Sequence, residues 1–330
     1  MQKTHFIIII SMLALSMLGC KQSDVQQITY AHGRPGDVIV VMSNERWNSE
    51  LGDSLRALFG VEVPGLPLEE PVLDLHQIQR DKFIEANRQH KNIIYTEINP
   101  EIEKSTVTVT NNKYAVNQTF IHIKAKNQFD FIQLLNEYGN KLINIFVETD
   151  RERWLSQLSK YKNETLSEKI TKQYEINLSI PKNYYGDVLH ENFAWISNET
   201  KKYTMSILIY TYPLVDDTEL DLEYLISKRN VVLEANVPGA RKGSYMTTET
   251  KYDFPVINKM IHNGVTTAVI RGLWKVKGDF MGGPFISFTK IDEARGRVVT
   301  VEGFVYHPNQ ETRDQIRQLE GVLYTFDFVK

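Results

Sequence analysis

His32-Gly33-Arg34-Pro35-Gly36-Asp37-Val38-Ile39-Val40-Val41-Met42 is the stretch on which the fold turns. Two glycines around a proline mark a tight turn. Pro35 fixes φ at about −65° and removes a backbone donor. Gly33 and Gly36 admit left-handed or close-approach backbone. Val38–Met42 is apolar without alternation, the pattern of a strand covered on both faces. The turn therefore aims a buried strand into the middle of a sheet.

The chain outward from it keeps switching period. Trp47, Leu51, Leu55 and Leu58 repeat at helical spacing, and Gly60 stands where a C′ glycine ends a helix. Pro64, Pro67 and Pro71 enforce extended chain. Leu73–Ile78 reads as a strand, Lys82–Gln89 as a short helix and Ile93–Ile98 as a strand. Thr106–Thr110 alternates Thr with Val, a half-buried strand. Asn111-Asn112 turns it, and Thr119–Ala125 returns with Ile121, Ile123 and Ala125 on one face. Asn127 is an N-cap, with Asp130 near the free amides. Phe131, Leu135, Tyr138, Leu142 and Ile145 make a long amphipathic helix. Arg151–Thr171 continues as polar, mostly helical chain.

Strand patterning then restarts. Tyr174, Ile176, Leu178 and Ile180 share a face, and Pro181 ends the run. Strands are expected at Phe193–Ser197, Tyr203–Tyr212, Tyr245–Thr250, Val265–Val276, Phe285–Lys290, Arg297–Tyr306 and Tyr324–Phe328. Thr218 is placed to cap a helix with Leu222, Leu225, Ile226, Arg229 and Val232 on one face, ended by Pro238-Gly239. Asn309–Leu319 reads as a polar helix. The fold class is α+β: two α+β domains, each a mostly antiparallel or mixed sheet packed with helices. The boundaries expected are 1–19 (signal), 20–33 (tether), 34–160 (first domain), 161–173 (helical connector) and 174–330 (second domain). Strand, turn, strand and helix recur at Thr106–Ile145 and Phe285–Leu319, a weak internal echo.

The N-terminus carries the sharpest functional meaning. Phe6–Leu18 is apolar after Lys3, too short for a span of roughly 20 residues but suited to a secretory signal. Met17-Leu18-Gly19-Cys20 resembles the lipobox of bacterial lipoproteins, in which the cysteine is lipidated and becomes the mature N-terminus. Cys20 is the only cysteine of 330 residues and has no internal disulfide partner. One acyl chain binds membranes marginally, whereas two or three hold stably. The alternative is a plain secretory signal with an incidental cysteine.

The net charge is −3, or −4 once residues 1–19 and Lys3 are removed. That balance speaks against a nucleic-acid face and against a polybasic grip on lipid.

Gly33-Arg34-Pro35-Gly36-Asp37-Val38-Ile39-Val40-Val41-Met42 with Trp47, Gly52-Asp53, Leu55-Arg56, Leu66-Pro67 and Glu70-Pro71 resembles a family of bacterial envelope lipoproteins catalogued as domain of unknown function 4837. The resemblance runs through most of the mature chain and implies an envelope protein with no assigned reaction. Separately, Ile176–Pro181 with Phe193–Ile196 resembles the opening of PsbP/Mog1-type α/β sandwiches.

Chemical motifs are sparse. There is no phosphate-binding Gly-Lys loop, Gly-x-Ser-x-Gly elbow, His-Glu-x-x-His pair or Cys-x-x-Cys. His32, His76, His90, His122, His190, His262 and His307 are scattered, without ligand spacing. Asp216, Asp217, Glu219, Asp221 and Glu223 lack the glycine of a calcium loop and fit a helix N-terminus. Gly33–Gly36 presents amides that an anion would accept, yet reads first as a structural turn. Met281-Gly282-Gly283-Pro284 reads as a flexible turn. Trp47, Trp154, Trp195, Trp274 and Tyr184-Tyr185 offer stacking surfaces for sugars, with Trp47 and Trp154 on apolar helical faces.

The expectation is a lipid-anchored cell-envelope protein of a Gram-negative bacterium, at the outer rather than the inner membrane, that binds or supports a partner without catalysis. The site residue is Cys20 as lipid anchor. No catalytic, cofactor or metal residue is assigned. Partners are the membrane and an envelope protein or glycan, with no nucleic acid. An envelope hydrolase acting on glycan or peptide, and a small-ligand carrier, stand as alternatives.

Overall fold

A computed structural model of the protein describes residues 29–215 and 220–329. The expected signal, Cys20, most of the expected tether, and Asp216, Asp217, Thr218 and Glu219 lie outside the described residues. Two large sheets form, each with its own core, beside a small two-stranded one, so the architecture is α+β in two halves.

The first sheet is mixed. Its strands are β1 (Asp37–Val41), β2 (Asp74–Ile78), β3 (Asn92–Ile98), β4 (Thr106–Asn111) and β5 (Thr119–Ala125). The order is β2-β1-β3-β5-β4, parallel except for β4. Val38–Met42 is buried as its apolar run requires. β4 is an exposed edge, because its outer face meets no covering layer.

The helix expected after the turn is broken. α1 (Asn44–Trp47) and α2 (Glu50–Phe59) are separated where Ser49 Oγ donates to Arg46 O and accepts from Leu51 N. Gly60 follows α2 with φ −88°, so this end uses no left-handed residue. Lys82–Gln89 likewise resolves into a 3-10 turn at Arg80–Lys82 and a short α3 (Glu85–Arg88).

α4 (Gln128–Leu158) has 31 residues, roughly 46 Å of helix. Asn127 accepts from Asp130 N, the expected cap. The first turns of α4 bury Phe131, Leu135, Leu142 and Phe146 against the sheet with α2. Its last turns pass beyond that sheet to the second half.

The second sheet is antiparallel. Its strands are β7 (Tyr185–His190), β8 (Phe193–Glu199), β9 (Thr204–Pro213), β10 (Tyr245–Thr248), β11 (Val256–His262), β12 (Val265–Lys277), β13 (Gly282–Asp292) and β14 (Arg297–Tyr306). The order is β10-β12-β13-β14-β9-β8-β7, with β11 also on β12. α6 (Leu222–Asn236), capped by Asp221 accepting from Tyr224 N, covers one face. α5 (Glu164–Tyr174) and α7 (Arg313–Leu323) bury Leu166, Ile170, Ile316, Leu319 and Val322 on the other. Residues 161–173, expected to connect, therefore contribute most of a core helix.

Other expectations shift in detail. Tyr174, Ile176, Leu178 and Ile180 are buried together, but Tyr174 ends α5 and only β6 (Ile176–Asn177) pairs, with β15 (Asp327–Phe328). Gly282 and Gly283 belong to β13, so they form no flexible turn. α7 begins at Arg313 rather than Asn309, and it is amphipathic, not polar.

Candidate functional site

The two halves meet at a polar junction built by the opening turn, the end of α4, the start of α7 and the segment before β2. Gly36 has φ +81°, the left-handed region that glycine tolerates. Its N–H donates to Asp150 Oδ2 at 2.8 Å. A Cβ there would stand 2.9 Å from Arg317 Nη1 and 3.3 Å from Arg313 Nη2. The turn is thus a seat for two guanidinium groups from the far end of the chain.

Glu70 is the second hinge-pin of the junction. It is 4% exposed, and its carboxylate accepts from Thr312 N at 2.7 Å and Arg313 N at 2.9 Å. A residue of the first half therefore caps a helix of the second, where free amides and the helix dipole favour an anion. Arg313 closes the contact with Asp74 at 2.7 Å and Pro71 O at 2.7 Å. Burial works against the Arg313 guanidinium, but Asp74 and Asp314 outweigh it and raise its pKa.

Arg153 on α4 donates to Asp150 Oδ1 (2.6 Å), Asn92 Oδ1 (2.7 Å), Lys91 O (3.2 Å) and Thr119 Oγ1 (3.1 Å). It ties the helix to β3 and β5. Arg317 donates through Nη2 to Val72 O, while Nη1 is sealed from solvent without a partner among the described residues. Burial, and then Arg313, push its pKa down. Trp154 Nε1 donates to Gln318 O at 2.9 Å. A Cβ on Gly321 would collide with Trp154 Cδ1, so the glycine lets α4 and α7 close on each other.

Between these helices lies a cavity of about 190 Å³. Its wall includes Pro35, Lys91, Val147, Arg151, Trp154 and Arg317. The arrangement suits holding a small polar molecule.

The residues singled out from sequence do not otherwise converge. His32 and His90 stack edge-on at 6.0 Å. His76 lies 3.4 Å from Asp37, and His122 lies 3.1 Å from Glu97, both away from the cavity wall. His262 and His307 contact the carbonyls of Tyr324 and Glu311, and His190 accepts from Tyr174 through its carbonyl. Among the described residues no group of three or more His, Cys, Asp or Glu is placed to hold a metal ion. Glu223 lies in the first turn of α6 beside the Asp221 cap. Trp47 stacks under Arg56, Trp274 is buried and donates to Val305 O, and Tyr184 is buried while Tyr185 is exposed. Trp154 alone of the tryptophans reaches the cavity wall. Sequence reasoning met Glu70 only within the family resemblance and missed Asn92, Asp150, Arg153, Arg313 and Arg317, which no local pattern links.

Fold and site define an α+β protein of two sheets locked through a charged junction. Residues 163–325 match the model of the family described as Domain of unknown function (DUF4837). Residues 31–159 match a second model, Domain of unknown function (DUF8532), so the Gly33–Met42 block falls under that description. Similar solved structures include a mutant of protein Mog1, at 10% identity over 47% of this chain and 92% of that one, with TM-score 0.32. Another is the Saccharomyces cerevisiae Ran-binding protein Mog1p, at 11% identity over 47% and 91%, with TM-score 0.30. No curated protein matches the chain.

Proposed function

We propose that the protein is a non-catalytic binding or structural protein of the cell envelope of a Gram-negative bacterium, held at the outer membrane by acyl chains on Cys20. One observation carries the non-catalytic part. The five buried carboxylates among the described residues, Glu70, Asp150, Glu249, Asp292 and Glu302, are all engaged. Glu70 caps α7, and Asp150 binds Gly36 and Arg153. Glu249 meets Lys275, Asp292 meets Arg295 and Arg297, and Glu302 meets Arg229. A general acid or base needs a carboxyl group free to exchange its proton with substrate. These groups are committed to holding the fold.

The anchor rests on the apolar run ending at Gly19-Cys20. No helix among the described residues is long and apolar enough to cross a membrane. The test is metabolic labelling with a clickable fatty acid, followed by membrane fractionation and crosslinking. Wild type should be labelled and sediment with outer membranes, and Cys20→Ala should be unlabelled. Label persisting in Cys20→Ala would refute the anchor.

A further inference from the structure

We infer that the junction cavity binds a small anion headed by a phosphate or carboxylate group, with a short apolar body. The inference rests on the non-catalytic binding reading and names the ligand class.

Charge accounting around the cavity carries it. Three carboxylates line the wall: Asp150 pairs with Arg153, Glu320 pairs with Arg271, and Asp314 lies 3.3 Å from Arg313, a cation it shares with Asp74. The cations Lys91, Arg151 and Arg317 line the same wall with no carboxylate within ion-pair distance among the described residues. Arg151 instead lies 3.9 Å from the centre of the Tyr324 ring, a contact that positions its charge without neutralising it. The wall thus carries four cations (Lys91, Arg151, Arg153 and Arg317) against three carboxylates, with Lys91 and Arg151 ion-paired to none of them, around a recess of about 190 Å³. Electrostatic attraction strengthens where protein walls exclude water. Arg and Lys are the donors that oxyanions take in short, charge-assisted hydrogen bonds. Val147, Pro35 and the Trp154 ring supply an apolar wall, which favours an organic anion over a bare halide. The volume holds a headgroup with a few carbons and excludes a polymer chain. Arg317 is held by its bond to Val72 O with Nη1 sealed, so the half-buried Lys91 and Arg151 are the pair that contact the ligand.

Calorimetric titration of the full chain in detergent tests this, with inorganic phosphate and butyrate as probes and chloride at matched ionic strength as control. At least one oxyanion should bind saturably with Kd below about 1 mM. Phosphate binding alone marks a phosphoryl compound, butyrate alone a carboxylate, and either supports the site. Lys91→Gln combined with Arg151→Gln should weaken binding by at least about tenfold while melting temperature holds. Arg151→Lys on its own should retain most of it. Absence of saturable binding by either probe overturns the inference, as does binding that survives the double substitution. Failure here leaves the fatty-acid labelling of Cys20 unaffected. Turnover of a bound ester would sink the non-catalytic reading while keeping the site.

Discussion

At the scale of single residues, Gly36 shows how a turn serves a distant partner. A left-handed position was legible from the glycines flanking Pro35. What rests against it was not, because Arg313 and Arg317 lie far along the chain and no local pattern links them. Gly36→Val should cost about 1–3 kcal/mol from backbone strain, with the guanidinium clash added. Arg34→Ala should stay within about 0.5 kcal/mol, since Arg34 is exposed and, among the described residues, pairs with Asp37 alone at 3.4 Å. Urea unfolding of both variants measures the contrast. His90 makes a second residue-scale prediction. Burial lowers its pKa, Asp37 and the Asn92 carbonyl oppose the shift, and His32 and His76 add to it. The unfolded chain then binds the proton more readily than the folded one. Stability from this group is complete above the unfolded value of about 6.5 and is lost as pH falls through that value toward the lower folded one. Melting temperature should drop between about pH 7 and pH 5. The drop should be smaller in His90→Gln, and it should not vanish, because His122 and His262 are shifted the same way.

At the scale of elements, legibility followed periodicity. β1, β3, β5, β9, β12 and β14 are apolar or cleanly alternating, and they form where their patterns place them. β7 and β11 went unread because their exposed residues break any alternation. The start of α7 was misplaced for a different reason. Its cap is not local but comes from Glu70, 242 residues before Thr312. Glu70→Ala should destabilise by about 1–3 kcal/mol and speed amide exchange across residues 312–315. Unchanged exchange there would refute the capping role. On α6, Arg229 was readable as a member of the apolar face, an odd place for a cation. Its reason is Glu302 on β14, held bidentately by Nε and Nη2 at 2.8 and 2.7 Å. Arg229→Met should cost about 3–5 kcal/mol by stranding a buried carboxylate. Adding Glu302→Leu should recover most of that loss in thermal unfolding. If it recovers none, the pair contributes something beyond mutual neutralisation.

At the scale of the molecule, the polar stretch after Arg151 suggests two independent units that a protease separates between Lys160 and Lys172. The structure gives that stretch another character. α4 runs through it to Leu158, α5 is buried in the second core, and Glu70, Asp74, Trp154, Arg313 and Arg317 fasten the halves. Gly65, in the loop before β2, also rests on Gly272 of β12. Two cores were legible from two sets of strand patterns, whereas their locking was not, since it depends on charges meeting across the whole chain. The junction is the central claim, because it both joins the halves and shapes the cavity. Hydrogen exchange by mass spectrometry across a urea series tests it most directly. Slow amides of β3 and β13 should be lost at one urea concentration in wild type and separate in Glu70→Ala. Separate loss in wild type, unaltered by that substitution, would contradict it.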